Sequence, residues 1–145
     1  FSPPIHSRMR CLLLTLLLAV SSLAMRQQAV GAEGRVMCGM KPAEGVHVKL
    51  WDEDDGPDPD DVLDEGYTDK FGNFRLQGTT SELTPIDPVL KIYHDCDDGI
   101  MPGQRKLKFK LPNSYISPGG VPRRIFPLGV LNLETIFPGE ERKLI

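Results

Sequence analysis

The residues most suited to binding chemistry are three lysines that alternate with apolar residues. Lys106, Lys108 and Lys110 are separated by Leu107 and Phe109. Alternate side chains of a β-strand point to the same face and lie roughly 7 Å apart, so these lysines should line one face of one strand. Evenly spaced ammonium groups can hold anionic lipid head groups, at about 1 kcal/mol for each basic residue near such a surface.

Two further segments show the same alternation and add aromatic rings. His47, Lys49 and Trp51 share one side of a predicted strand, and Lys91 and Tyr93 share one side of another. Tryptophan and tyrosine rings are common anchors for protein partners. These segments therefore predict strand faces that could bind a partner.

The densest charge in the sequence is acidic. Ten Asp and Glu residues, and no basic residue, lie between Asp52 and Asp69. Their spacing differs from that of the EF-hand loop, which places oxygen ligands at positions 1, 3 and 5 before a glycine. We predict a solvated acidic loop and no bound metal, and leave open whether residues 52–61 bind Ca²⁺. A second acidic group at 95–98 should lie at the opposite end of the sheet if the two strands are antiparallel neighbours.

The histidines do not suggest catalysis. Alternation places His47 on an outward face and His94 on an inward one, so the two should not share a site. No segment proposes an activated serine or cysteine nucleophile. We predict that the protein is not an enzyme and has no cofactor.

The N-terminal segment has the pattern of a secretory signal. Arg8 and Arg10 precede an apolar run of about ten residues that is followed by small residues. Cleavage after Ala24 is favoured over cleavage after Ala32, so residues 1–24 form the leader and residues 25–145 the domain. The run is shorter than the roughly 20 apolar residues that span a bilayer. We therefore predict a secreted, extracellular protein without a transmembrane segment.

Removal of the leader leaves two cysteines, Cys38 and Cys96. An even count in a secreted protein favours a disulfide, with two free thiols as the alternative. A bridge across nearly 60 residues would contribute about 4 kcal/mol to stability.

The charge balance argues against nucleic acid as a partner. Loss of Arg8 and Arg10 reduces the 17 basic residues to 15, against 20 acidic ones, so the net charge becomes −5. The basic residues are nevertheless concentrated, with six of them and no acidic residue between Gln104 and Arg124.

Strand signals run through residues 25–145, and no long stripe with helical period interrupts them. A tight turn at 69–72 predicts a hairpin, and residues 58–61 could open one short helical turn. Seven or eight short strands predict an all-β, immunoglobulin-like β-sandwich. The predicted strands lie at 35–38, 46–51, 65–68, 73–77, 90–93, 106–111, 124–127 and 130–134.

The longer motifs resemble those of the nematode transthyretin-like family. The resemblance covers nearly all of residues 25–145 and rests on several strings, among them GRVMC at 34–38, VHVKLWDED at 46–54, GYTD at 66–69, GNF at 72–74, KIYHDC at 91–96 and NLE at 132–134. It implies a transthyretin-type sandwich of two sheets in an extracellular binding protein. One branch of the family bridges phosphatidylserine on dying cells to an engulfment receptor. Many members carry a further cysteine where this chain has Gly103, so a four-cysteine framework is not expected.

The family topology implies that the three alternating strands share one sheet. Their outward side chains would then form one basic and aromatic face, and Cys38 and Cys96 would meet at one end of the sandwich. We predict a binding or bridging protein that recognises anionic phospholipid or a cell-surface receptor through this face, with its oligomeric state open. The predicted face residues are Lys49, Trp51, Lys91, Tyr93, Lys106, Lys108 and Lys110.

Two other functions are implied by more distant relatives. Vertebrate transthyretins carry small apolar molecules in a channel that forms when four chains assemble. Hydroxyisourate hydrolases act through His and Arg side chains and carry a Tyr-Arg-Gly-Ser motif that this sequence lacks. The carrier is the first alternative to a binding protein, and the hydrolase is disfavoured.

Overall fold

The computed structural model describes residues 4–6, 8–10, 12, 25–54 and 60–144. Ten β-strands and one 3₁₀ turn, Asn113–Tyr115, make up its regular structure from residue 25 onward. The strands are β1 Arg26–Cys38, β2 Lys41–Pro42, β3 His47–Asp52, β4 Asp61–Tyr67, β5 Asn73–Glu82, β6 Pro88–His94, β7 Gln104–Lys110, β8 Ser117–Pro118, β9 Phe126–Asn132 and β10 Glu141–Lys143. Among the described residues, no helix has the length and apolar character needed to cross a membrane.

The strands form two five-stranded sheets, which confirms the predicted all-β sandwich. The first sheet is built around β1, which pairs antiparallel with β2, β5 and β8 and parallel with β9. The second sheet has the order β10-β7-β6-β3-β4, and all its pairs are antiparallel. Long continuous pairing allows each sheet to cover one side of a shared apolar core.

The core follows the period-2 pattern of the strands. Val48 and Leu50 of β3 face inward while their neighbours face outward, and Leu107 does the same in β7. Burial of each such side chain contributes roughly 1.5–3 kcal/mol. The fully buried large apolar side chains are Val30, Val36, Val48, Leu50, Ile86, Val89, Leu90, Ile92, Leu107 and Leu133.

The disulfide prediction is confirmed. Cys38, the last residue of β1, is bonded to Cys96, which follows β6, and their Cα atoms lie 5.7 Å apart. The bond therefore joins the first sheet to the second at one pole of the sandwich.

Several predicted strand limits were wrong. β1 extends 13 residues rather than the four predicted at 35–38, because its first half contains small residues buried under neighbouring strands rather than an alternating pattern. The segments predicted at 124–127 and 130–134 form one strand, β9. Ten strands replace the expected seven or eight because β2, β8 and β10 have only two or three residues each.

The predicted hairpin at 69–72 is also corrected. The turn exists, since Gly72 N–H donates to the Asp69 carbonyl and Asp69 N–H donates to the Asn73 carbonyl. However, β4 on one side pairs in the second sheet and β5 on the other side pairs in the first. The turn therefore connects the two sheets instead of closing a hairpin.

The structure bears on part of the predicted leader. Most of the apolar run and Ala24 lie outside the described residues. Of the helical turn expected at 58–61, residues 58 and 59 also lie outside them, and Asp61 begins β4. Ala32 is fully buried inside β1, opposite Leu76 of β5 and Phe126 of β9. Cleavage after Ala32 would remove half of the central strand of the first sheet, whereas a domain beginning at residue 25 keeps β1 whole.

Candidate functional site

Strand register brings the predicted basic and aromatic residues onto one surface, the outer face of the second sheet. In the middle row Lys49 lies opposite Lys91 and Lys91 opposite Lys108. We call the outward side chains of β3, β6, β7 and β10 the lysine face. Its flanking rows run from His47 through Tyr93 to Lys106, and from Trp51 through Val89 to Lys110.

Glu53, just after β3, forms ion pairs with two lysines at the centre of the lysine face. One carboxylate oxygen of Glu53 lies 2.7 Å from Lys91 Nζ and 2.9 Å from Lys108 Nζ. Burial opposes ionisation of Glu53, but hydrogen bonds from the two lysines outweigh it and hold the pKa of this carboxyl below its usual value. The same bond raises the pKa of Lys108. The middle row is therefore a charged cluster and not a row of free ammonium groups.

Two other carboxylates pair with the edges of the face. Glu65 of β4 lies 2.9 Å from His47 Nε2 and 3.6 Å from Lys49 Nζ. Glu141 of β10 lies 3.2 Å from Lys106 Nζ. Each pair is partly exposed, so its contribution to stability is about 0–1 kcal/mol.

Two of the predicted face residues are almost fully buried. The Lys91 side chain is only 7% exposed, and Tyr93 is 5% exposed. Both lie on β6, which has neighbouring strands on both sides and side chains packed over it. Lys91 and Tyr93 therefore form the floor of the face, and a large partner would first meet the side chains around them.

Lysine and aromatic side chains interleave across the face. Lys91 Nζ lies 4.2 Å from the ring centroid of Trp51, and Lys49 Nζ lies within 6 Å of the Trp51 and Tyr93 centroids. Lys143 of β10 lies 4.9 Å from the Tyr93 centroid. Cation–π contacts of this kind contribute about 0.5–2 kcal/mol and hold the ammonium groups in defined positions.

The described residues of the face carry a net positive charge. Their six lysines, the five predicted and Lys143, pair with three carboxylates, those of Glu53, Glu65 and Glu141, which leaves three positive charges among the described residues. Lys110 is exposed and has no carboxylate partner within the part of the chain that the structure describes. Lys110 lies at the end of β7 beyond the residues that pair with β10, which are Gln104–Lys106.

Sequence reasoning missed the acidic partners and Lys143. Glu53 was assigned to the acidic loop, yet its position directly after Asp52 continues the alternation of β3 and indicates an outward side chain. The three-residue strand β10 has no sequence pattern of its own, so Lys143 and Glu141 could not be placed.

The two histidines lie in different environments, as the alternation predicted. His47 is on the lysine face, stacked on Tyr67 with ring centroids 4.6 Å apart. His94 is buried on the other side of the sheet, where its Nδ1 accepts a hydrogen bond from Cys96 N–H at 3.0 Å. Its Nε2 has no partner among the described residues. This arrangement fixes a neutral imidazole and does not form a catalytic pair.

The burial of His94 predicts a pH dependence of stability. Burial, aided by the positive charge of Arg105, lowers the pKa of His94 below its usual value of 6.5. His94 therefore binds a proton more tightly in the unfolded chain than in the folded protein. The stability that depends on a neutral His94 is complete above pH 6.5 and is lost as the pH falls through the lowered pKa. We expect the free energy of unfolding, measured in urea, to decrease between about pH 7 and pH 5.

The matched variant for this test is His94→Asn, whose side-chain oxygen can still accept from Cys96 N–H. In this variant the free energy of unfolding should stay constant between about pH 7 and pH 5 but should still fall at lower pH. The fall at lower pH arises from carboxyl groups such as Glu140, whose pKa is lowered below 4.5 by a hydrogen bond from Arg105. An equal pH slope for both proteins between pH 7 and 5 would contradict the assignment to His94.

A groove on the first sheet is a poor site for an apolar ligand. Its volume is about 510 Å³. Five of its nine lining residues are polar or charged, and two of these, Glu33 and Arg75, form an ion pair at 3.2 Å. The carrier hypothesis gains no support from this groove.

Comparison with known proteins places the chain in a family. A family model described as the Transthyretin-like family matches residues 33–112. The protein belongs to the transthyretin-like family. Transthyretin-like protein 46 of Caenorhabditis elegans is 58% identical over 92% of this chain and 76% of its own length. Transthyretin-like protein 33 of the same nematode is 47% identical over 94% of this chain and 96% of its own.

Membership confirms the resemblance stated from the motifs. The matched residues contain β3, β6 and β7 and therefore most of the lysine face. Among solved structures, a 9R-lipoxygenase from Cyanothece has a TM-score of 0.39 and 23% identity over 72% of this chain and 16% of its own, a likeness too weak to carry an argument.

Proposed function

We propose that this transthyretin-like protein is a secreted binding protein that recognises anionic lipid head groups through the lysine face. The observation that carries the proposal is the excess of three positive charges among the described residues of one sheet face, where Lys91 and Lys108 share the single carboxylate of Glu53 and Lys110 and Lys143 have no carboxylate partner. The proposal contains no catalytic step, because the described residues of the face form ion pairs and cation–π contacts rather than an activated nucleophile.

The internal ion pairs support binding in two ways. Glu53 holds Lys91 and Lys108 in place, so less side-chain entropy is lost when a phosphate approaches. Because Glu53 already neutralises part of this charge, the unpaired Lys110 becomes the natural first contact. The face thus combines fixed lysines with Lys110, whose ammonium group has no carboxylate partner among the described residues.

The expected energy is modest. At about 1 kcal/mol for each uncancelled basic residue near an anionic membrane, three charges contribute about 3 kcal/mol, or roughly 150-fold in affinity. Binding should therefore weaken with added salt, because partly exposed charges are screened.

The test is binding of the 25–145 protein to liposomes with and without phosphatidylserine. We expect the variant Lys106→Glu, Lys108→Glu, Lys110→Glu to lose the phosphatidylserine-dependent binding. The matched control is Lys41→Glu, Lys70→Glu, Arg123→Glu, which changes the charge equally at exposed positions away from the face. A third variant carries Gln at the three face positions. If its circular dichroism spectrum matches that of the parent, any loss of binding is due to loss of charge and not to loss of the fold.

Three results would contradict the proposal. The first is parent binding that does not depend on phosphatidylserine, and the second is an equal loss of binding in the face and control variants. The third is a parent that binds no liposomes but binds cells, and loss of that binding after removal of cell-surface protein would indicate a protein partner.

A further inference from the structure

Three carboxylates from both sheets meet at the pole of the sandwich opposite the disulfide. Asp52 ends β3, Asp54 follows two residues later, and Glu82 ends β5 in the other sheet. One ligand oxygen from each lies within 4.8 Å of the others. The intervening Glu53 points to the lysine face, as the alternation of an extended segment requires.

Asp52 provides a second and independent sign of a ligand. Asp52 is only 1% exposed. Its Oδ1 accepts a hydrogen bond from Asp87 N–H at 2.8 Å, but its Oδ2 has no hydrogen-bond partner among the described residues. A buried carboxylate oxygen without a donor carries an uncompensated desolvation cost. A cation at the cluster would offset that cost.

The spacing suits a hard cation of the size of Ca²⁺. Ca²⁺ binds oxygen ligands at about 2.3–2.6 Å, so oxygens around one ion are separated by at most about 5 Å. The 4.8 Å limit of the cluster lies within this range. Mg²⁺ requires a near-ideal octahedron and usually keeps several waters, so a set of three protein carboxylates is more typical of Ca²⁺.

We propose that Asp52, Asp54 and Glu82 bind a divalent cation, with Ca²⁺ preferred. The ion joins the end of β3 to the end of β5 and so links the two sheets at one pole, as Cys38–Cys96 links them at the other. Extracellular Ca²⁺ modules have dissociation constants of about 0.1–1 mM, and a site with three carboxylates belongs in that range. The proposal does not depend on lipid binding.

The test is Ca²⁺ titration of the disulfide-bonded 25–145 protein by calorimetry, together with thermal unfolding with and without Ca²⁺. We expect saturable binding and a rise in Tm, with a weaker response to Mg²⁺. Asp54→Asn and Glu82→Gln, both at half-buried positions, should each weaken Ca²⁺ binding roughly tenfold or more.

Two further variants make the test decisive. Asp52→Asn keeps an acceptor for Asp87 N–H, so it should fold normally and lose the Ca²⁺ response. Glu44→Gln removes the same charge at an exposed position near the opposite pole and should bind Ca²⁺ as the parent does. The proposal is overturned if the parent shows no saturable binding up to roughly 10 mM Ca²⁺. It is equally overturned if Asp54→Asn and Glu82→Gln bind as tightly as Glu44→Gln.

Discussion

Replacing Arg105 with alanine is expected to destabilise the protein by about 3–5 kcal/mol, because the substitution removes one partner of a buried ion pair. The Arg105 side chain is only 7% exposed, and its guanidinium binds both carboxylate oxygens of Glu140. It also donates to the carbonyls of Cys96, Leu133 and Thr135 at 2.8–3.0 Å. One side chain thus connects β7 to the segment after β6 and to the loop between β9 and β10.

The size of this effect follows from what the substitution leaves behind. Without the guanidinium, the largely buried Glu140 carboxylate loses its counter-charge and three carbonyls lose a donor. Denaturant unfolding with the disulfide intact measures the change. The matched control is Arg75→Ala, since the Arg75 side chain is 63% exposed in its ion pair with Glu33 and should contribute about 0–1 kcal/mol.

A double-mutant cycle checks the assignment to the ion pair. The variant Arg105→Ala, Glu140→Ala should be less destabilised than the sum of the two single variants, because the cost of an unpaired buried charge is counted in each of them. Additive losses, or a loss for Arg105→Ala no greater than that for Arg75→Ala, would show that the pair does not hold these segments together.

Removal of the Cys38–Cys96 disulfide is expected to cost about 4 kcal/mol. The two cysteines are separated by 58 residues, so the bond restricts a large part of the unfolded chain. The variant Cys38→Ala, Cys96→Ala should therefore unfold at a much lower denaturant concentration while its native circular dichroism spectrum is retained. Loss of this much stability is a large fraction of the 5–15 kcal/mol typical of a domain.

A reduced parent protein provides the control for that experiment. Thiol reduction should reproduce the loss seen in the double variant, since both remove the same constraint on the unfolded chain. A decrease below about 1 kcal/mol in both proteins would mean that the unfolded chain is already restricted without the bond.

The alternating strands could be derived from the sequence alone, because the side to which each side chain points depends only on neighbouring residues. A side chain in an extended segment has its direction set by its own backbone, so Lys49, Lys91 and Lys108 could be assigned outward positions in β3, β6 and β7. The disulfide was also accessible, because two cysteines in a protein predicted to be secreted leave one intramolecular pairing. The family motifs then indicated which strands are neighbours.

The environment of those same lysines was decided only by the tertiary structure. Whether an outward side chain is exposed depends on what the neighbouring strands place over it, and β6 is covered from both sides. Lys91 is therefore buried against Glu53 and Trp51 with 7% of its side chain exposed, although its position in the alternation is the same as that of Lys108, which is 34% exposed.

The carboxylate cluster is the clearest case of an arrangement that the sequence alone could not predict. The sequence indicated that acidic residues crowd the segment after β3, but it predicted a solvated loop there, whereas Asp52 is buried. Glu82 lies 30 residues away in a strand of the other sheet, and no local pattern connects it to Asp52. Backbone direction is a property of neighbouring residues, whereas the meeting of side chains from two sheets depends on how the sheets stack, which only the folded chain decides.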